Sequence, residues 1–254
     1  MRKSKYLILS GLYFDFNNDL TEIEKVKELF NKQNVLDLFR YNELKSIRKE
    51  QFKGYNIDLI YLPKNIEIIN ISAFDENQIK NLDLSNCINL KNIDNSAFSE
   101  NQIKHLKLHP NIEKIESFAF SMNYIESLKL SQYMKLKYIS SSSFYKNKIK
   151  ELKLPKDIET IGPFAFSNNQ IEILDFSKYL NLKKIGAYAF SVNPLKEIKI
   201  LGNITIDYIV AYKNDIWNEF VKYYNKNNKK TGDYKLENNE WQWYPLKKIK
   251  YEKK

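Results

Sequence analysis

The sequence predicts a repeat solenoid, and a recurring motif with regular spacing is the main reason. The pattern A-F-x-x-N-x-I-x-x-L-x-L, complete at 119–130, returns along most of the chain. Its phenylalanines are separated alternately by 22 and 24 residues, which is the period of a solenoid and not of a globular core. Each period is one turn of the coil, here called a rung. The anchoring residues are Phe52, Phe74, Phe98, Phe120, Phe144, Phe166 and Phe190.

Short and long rungs alternate, so the full unit is a double rung of 46 residues. A short rung reads Leu154-Pro155-x-x-Ile158-x-x-Ile161, whereas a long rung such as 130–139 has two more residues before its second apolar pair. The two leucines of each L-x-L share one face of a strand because side chains alternate along it. We expect these strands to form one parallel sheet, with the phenylalanines stacked along a common axis to close the opposite wall of the interior.

An asparagine lies three residues after six of these phenylalanines. Buried N–H and C=O groups need partners, so a short amide repeated at one turn position predicts a hydrogen-bonded ladder along the coil. We expect this ladder to be structural and not to bind a ligand. Its members are Asn77, Asn101, Asn123, Asn147, Asn169 and Asn193.

The N-terminal residues 1–29 are expected to form a cap that precedes the solenoid over 30–200. Helical spacing runs from Asp19 to Phe30, with capping-box residues near its start. The apolar run Tyr6–Phe14 follows basic residues, so it fits either a degenerate signal segment or a first strand.

The C-terminal residues 201–254 are predicted to be a second cap, because the repeat ends and the last rung needs a cover. Helical spacing around 216–224 and a hairpin over 234–244 are expected there. Trp241 and Trp243 are interpreted as packing residues and not as a sugar-binding platform. No stretch reaches the ~18 consecutive apolar residues of a membrane helix.

Composition limits the chemistry. The net charge of +10 and the pI near 9.2 are consistent with an acidic partner. Cys87 is the single cysteine, so an intramolecular disulfide is excluded while oxidising and reducing compartments both remain permitted. His105 and His109 share one rung without suitably placed acids, bases or ligands, and no Gly-rich phosphate loop occurs. We therefore expect no enzyme activity, no cofactor and no metal site.

The rungs resemble the BspA-like leucine-rich repeats, whose unit runs L-x-x-L-x-L-P-x-x-I-x-x-I-G-x-x-A-F-x-x-C/N. The segments 161–169 and 185–193 match this unit closely, and the likeness covers about residues 52–200. Departures include the missing Gly after Ile139 and Ser143 in place of Ala. The resemblance implies a leucine-rich-repeat, right-handed coil with a concave parallel sheet, short strands or helical turns on the other wall, and terminal caps.

The same resemblance implies a surface or secreted protein of bacteria or protists that takes part in adhesion to host or matrix proteins. A cytoplasmic location is the alternative if the N-terminus is not a signal.

The outward residues of the strands are the candidate partner-binding face. Because strands stack about 4.8 Å apart, Lys107, Lys129 and Lys153 are predicted to form one basic column. The sequence favours a non-catalytic module that recognises a protein, of open identity, through this face. The alternative is a polyanion binder for an acidic glycan, with nucleic acid disfavoured, that uses the basic column and the Lys-rich tail. The candidate residues are Tyr61, Asp83, Lys104, His105, Lys107, Lys129, Lys150, Lys153, Asp175 and Lys199.

Overall fold

The computed structural model describes residues 6–9, 12–15, 34–209 and 215–246. At the N-terminal end, strands β1 (Tyr6–Leu9) and β2 (Leu12–Asp15) pair antiparallel. The apolar run read as a signal or a first strand therefore contains two short strands. The helix predicted from Asp19 to Phe30 lies outside the described residues.

Eight short strands form one wall of the coil, here called the front wall. Their side chains alternate as the sequence predicts: Leu128 and Leu130 are buried, while Ser127 and Lys129 are exposed. The front strands are β3 (Val35–Asp37), β5 (Leu59–Tyr61), β7 (Asn81–Asp83), β9 (His105–Lys107), β11 (Ser127–Lys129), β13 (Glu151–Lys153), β15 (Ile173–Asp175) and β17 (Glu197–Ile200).

The front strands stack in parallel as predicted, but they are hydrogen-bonded in pairs and not as one continuous sheet. The pairs are β3 with β5, β7 with β9, β11 with β13 and β15 with β17. Each pair is joined across a long rung, where, for example, Leu130 N donates to the next strand. Across short rungs the bonds are redirected: Leu154 N donates to Tyr179 Oη at 3.1 Å, and Tyr133 Oη donates to Leu108 O at 3.1 Å. At these two junctions a tyrosine hydroxyl thus links neighbouring rungs.

An unbroken ladder of two-residue strands forms the opposite wall, here called the back wall. All neighbours are parallel and in register, so that Ile139 lies opposite both Ile115 and Ile161. The back strands are β4 (Ser46–Ile47), β6 (Ile68–Ile69), β8 (Asn92–Ile93), β10 (Lys114–Ile115), β12 (Tyr138–Ile139), β14 (Thr160–Ile161), β16 (Lys184–Ile185) and β18 (Thr205–Ile206).

Charge alternates strictly along one column of the back wall. Three successive couples form ion pairs, at 3.4, 3.9 and 3.0 Å from the lysine Nζ to the glutamate oxygen. Exposed pairs of this kind add little stability individually, but a slip by one rung would bring like charges together. The column reads Lys45, Glu67, Lys91, Glu113, Lys137, Glu159 and Lys183.

The anchoring phenylalanines stack along a common axis, which confirms the prediction from their spacing. Successive ring centroids lie 5.2–5.6 Å apart, with ring planes within 16° of each other. All seven rings are fully buried. A small residue precedes six of the seven rings and leaves room for this packing, as Ala119 does before Phe120.

Each phenylalanine turn contains two residues with left-handed backbone. Around Phe120 they are Phe118, with φ of 60°, and Met122, with φ of 53°. The turn bonds to the rung that follows it: Phe120 N donates to Ser143 O at 2.9 Å and Met122 N to Tyr145 O at 2.8 Å. The first six turns therefore rely on the next rung for their hydrogen-bond acceptors.

The asparagine ladder satisfies backbone groups of two adjacent rungs, as predicted. Asn123 Nδ2 donates to Phe98 O at 2.9 Å and Ser121 O at 3.0 Å. Its Oδ1 accepts from Ile103 N at 2.9 Å. The same bridging pattern recurs at the other five positions.

A helix and a hairpin cover the C-terminal rung. They are α1 (Ile216–Lys226), β19 (Gly232–Glu237) and β20 (Glu240–Tyr244). β19 pairs antiparallel with β17, so the hairpin continues the last front-wall pair. The ring centroid of Trp217 lies 5.1 Å from that of Phe190, the last ring of the phenylalanine stack. Trp241 is buried and Trp243 half-buried beneath Lys230, which agrees with a packing role.

Asp215 links this C-terminal segment to the last rung. As the N-cap of α1, its Oδ1 accepts from Asn218 N at 2.9 Å. The same carboxylate accepts from Ser191 Oγ at 3.0 Å and from Val192 N at 2.8 Å. In earlier rungs the backbone N–H equivalent to that of Val192 donates to a carbonyl of the following rung. Asp215 thus supplies the acceptor that a further rung would have provided.

Candidate partner-binding surface

The centre of the front wall is an exposed, basic surface. It is defined here by the outward residues of β7, β9, β11 and β13 together with the residue before each strand, all of which are exposed. This set contains six lysines and three carboxylates. The lysines are Lys80, Lys104, Lys107, Lys129, Lys150 and Lys153, and the acids are Asp83, Glu126 and Glu151.

The predicted column of three lysines is partly neutralised by acidic neighbours. Lys107 Nζ lies 3.5 Å from Asp83 Oδ2. Lys129 and Lys153 lie opposite each other in a bonded pair and share Glu151, each at 3.3 Å. Hydrogen bonds from Lys153 and Lys129 lower the pKa of Glu151. Because β9 and β11 are not hydrogen-bonded to each other, Lys107 belongs to a different strand pair from the other two.

Of the lysines predicted for this face, Lys104 and Lys150 are the more available cations. Both side chains are exposed, and neither forms an ion pair within the part of the chain that the structure describes. Their backbone N–H groups are fixed, since Lys104 N donates to Lys80 O and Lys150 N to Glu126 O, each at 2.9 Å. A charged side chain on a fixed backbone, with no internal partner, is well suited to bind a carboxylate of another molecule.

Asp83 and Asp175 have a structural role that the sequence did not reveal. Each Oδ1 accepts from the backbone N at 3.0 Å and from the Oγ at 2.5 Å of the serine two residues later. These bonds set the turn that follows the strand. Burial alone would raise the pKa of Asp83, but the Ser85 hydrogen bonds and the charge of Lys107 lower it overall.

The remaining candidates lie on the same wall. Tyr61 is 49% exposed, and His105 is exposed opposite Asn81 in the β7–β9 pair. Lys199 donates to Glu197 at 2.7 Å, and this hydrogen bond raises the pKa of Lys199. The structure thus brings the central candidates together on one face and places Tyr61 and Lys199 towards its two ends.

Among the residues that the structure describes, the two histidines and the cysteine considered for catalysis have ordinary structural surroundings. His109 Nδ1 accepts from Asn111 N at 3.2 Å within its own turn. Cys87 is buried in the core, and burial raises the pKa of its thiol to about 11. In the described ranges, no three His, Cys, Asp or Glu side chains cluster to hold a metal ion. Within those ranges no helix is long and apolar enough to cross a membrane.

Comparison with protein-family models gives a match over most of the chain. The model of the BspA-type leucine-rich repeat region matches residues 21–136 and 124–240, with six copies. No curated protein sequence matches the chain at a significant level.

Two solved structures are similar to this chain at low sequence identity. A leucine-rich repeat protein from Bacteroides ovatus is 18% identical over 64% of this chain and 55% of its own, with a TM-score of 0.31. The pneumococcal vaccine antigen PcpA is 20% identical over 69% of this chain and 62% of its own, with a TM-score of 0.32. The chain covers less than two thirds of either protein.

Proposed function

Starting from the fact that this chain belongs to the BspA-type leucine-rich-repeat family, we propose that it is a non-catalytic module that binds a protein through the centre of its front wall. The observation that carries this proposal is the pair of exposed lysines Lys104 and Lys150, which project from a rigid strand array without an internal ion partner in the described ranges. A broad repeat surface of this kind suits a macromolecular partner more than a small ligand.

The charge distribution of the front wall also indicates which charge the partner should carry. The centre of the front wall has twice as many lysines as carboxylates, whereas the outward residues 172, 173, 175, 196, 197 and 199 at the C-terminal end include two lysines and three acids. A partner that places acidic side chains against the centre would be favoured, and opposite charges would speed its association. Exposure at the cell surface and a part in adhesion belong to the same proposal.

Site-specific photo-crosslinking in the native host tests this placement. A photoreactive amino acid at Ser127, in the middle of the face, should capture a protein that Lys104→Glu with Lys150→Glu no longer captures. The same probe at Tyr138, which is 55% exposed on the back wall, should not capture it. Capture from Tyr138 alone, or capture from Ser127 that the charge reversal leaves unchanged, would refute the proposal.

The polyanion alternative is less well supported, because the three lysines of the basic column already have carboxylate partners. Glu151 forms ion pairs with Lys129 and Lys153, and Asp83 pairs with Lys107. The two functions separate on a heparin column. A polyanion binder would elute at high salt, because each neutralised anion adds to the salt dependence. We expect elution at low salt.

A further inference from the structure

The long rungs present a row of exposed apolar side chains beside the front wall. Their two additional residues lie in the loop that follows β7, β11 and β15. In each loop one side chain turns inward, and the next residue faces solvent. The exposed residues, here called the apolar row, are Ile88, Met134 and Leu180, with exposures of 48, 54 and 75%. They are spaced by 46 residues, the length of the double rung.

The loops that carry the row are held by specific contacts. The inward residue before Met134 is Tyr133, which is 3% exposed and donates to the previous rung. Tyr179, before Leu180, accepts from the rung before it. Asn111 Nδ2 donates to Ile88 O at 2.8 Å. Since the neighbouring rungs fix the loops, the apolar side chains are held at the surface and cannot be buried by a small rearrangement.

The spacing of the row matches one type of secondary structure in a partner. Strands stack about 4.8 Å apart, and the phenylalanine rings repeat at 5.2–5.6 Å per rung, so row members two rungs apart are separated by roughly 10–11 Å. Seven residues of an α-helix rise about 10.5 Å. Same-face residues of a strand repeat at about 6.8 Å and at its multiples, which do not fit.

The charge beside the row is positive. Lys156 and Lys178 are exposed in the neighbouring loops, and neither has an ion partner among the residues that the structure describes. Lys135 lies next to Met134 and reaches Glu113 on the back wall at 3.4 Å. The acid of these loops is Asp157, which accepts a hydrogen bond from Asn181 at 3.2 Å. A helix that lies along the row would therefore be favoured if it carried acidic residues.

We propose that the apolar row binds an amphipathic, acidic α-helix of the protein partner, with apolar side chains at seven-residue spacing in contact with Ile88, Met134 and Leu180. The proposal rests on the proposed function, because both place a protein partner on this side of the coil. It adds a second contact surface at the edge of the front wall, and it specifies the secondary structure and charge of the segment that binds there.

The test uses the full chain and a synthetic peptide of about three heptads, with Leu at every seventh position and Glu beside each Leu. Fluorescence anisotropy measures its binding at low salt. A peptide of the same composition with Leu at every fifth position is the control for spacing. The protein variants are Met134→Asp in the row, Tyr138→Asp as an exposed apolar residue on the back wall, and Lys104→Glu with Lys150→Glu on the front wall.

We expect the heptad peptide to bind the parent and the Tyr138→Asp variant equally. Met134→Asp should weaken binding about tenfold or more, because a carboxylate replaces a buried apolar contact beside an acidic helix. Thermal unfolding checks that each variant is folded. Equal binding of the two peptides, no binding to the parent, or unchanged binding to Met134→Asp would overturn the proposal. Loss on Lys104→Glu with Lys150→Glu alone would also overturn it, while leaving the front-wall function intact.

Discussion

Ser143 allows a direct test of how much a buried, unpartnered hydroxyl in this interior costs in stability. It occupies the position that is Ala before five of the stacked phenylalanines. The side chain is fully buried, and its Oγ has no hydrogen-bond partner in the described structure. Burial of an unpartnered hydroxyl costs about 1–3 kcal/mol. Ser143→Ala should therefore stabilise the protein.

The expected gain is about 1–2 kcal/mol, because removal of one oxygen leaves only a small void to offset the relieved desolvation. The backbone does not change this estimate. Ser143 O accepts from Phe120 N at 2.9 Å, and Ala119 O accepts from Phe98 N at the same distance. For a chain of this size the gain corresponds to a rise in Tm of about 2–4 °C per kcal/mol. Urea unfolding with an unchanged m-value measures it.

The neighbouring rung provides the reverse experiment. Ala119→Ser places a hydroxyl at the equivalent buried site and should lower stability by about 1–2 kcal/mol. Ser131→Ala, an exposed loop substitution, should change stability by less than about 0.5 kcal/mol. A loss of stability in Ser143→Ala would refute the reasoning, since it would mean that the hydroxyl is hydrogen-bonded.

Three further predictions concern the last rung and the hairpin. Asp215→Ala should lower stability by about 1–2 kcal/mol, measured by urea unfolding, because it removes a helix cap and the acceptor for Val192 N. Val192→Gly should raise Tm, with a gain of about 0.5–1 kcal/mol, because a β-branched residue is strained at its φ of 56°. Asp233→Asn should stabilise the protein more at pH 7 than at pH 3. Burial, and then the charge of Glu197, raises the pKa of Asp233, so the stability associated with its protonated carboxyl is lost as pH rises through that pKa.

Matched variants separate these mechanisms from general disturbance. Asp215→Asn retains a capping oxygen and should fall between the parent and Asp215→Ala. Val192→Ala keeps a Cβ and should gain less than Val192→Gly. Asp157→Asn is the control for pH. Parent-like stability of Asp215→Ala, or a benefit of Asp233→Asn that is the same at both pH values, would contradict the corresponding argument.

The interior could be predicted from the sequence because the same motif recurs in successive rungs, so that a pattern within one rung also specifies the packing between rungs. One motif, read at seven phenylalanines, gave the ring stack, and one asparagine position gave the hydrogen-bonded ladder. A single rung would not have justified either inference. The helix at 216–226 and the hairpin at 232–244 could be anticipated from ordinary apolar spacing.

The division of the front wall into strand pairs could not be predicted, because it depends on where individual side chains reach. Nothing in the sequence indicated that the hydroxyls of Tyr133 and Tyr179, in the loops of long rungs, form backbone hydrogen bonds between rungs. Glu151 lies two residues before Lys153 in the sequence, but only the structure shows that it contacts both Lys129 and Lys153. The one signal available for the apolar row was its 46-residue spacing.

Because Lys and Glu alternate strictly on the back wall, the charge pattern of the coil repeats every two rungs. A block of 46 residues inserted between rungs would keep every lysine beside a glutamate. It would also keep the exposed loops of the long rungs at every second rung. A block of a single rung would set glutamate against glutamate, or lysine against lysine, and would shift every later loop out of line. We therefore expect length variants of this protein, natural or engineered, to gain or lose turns in twos.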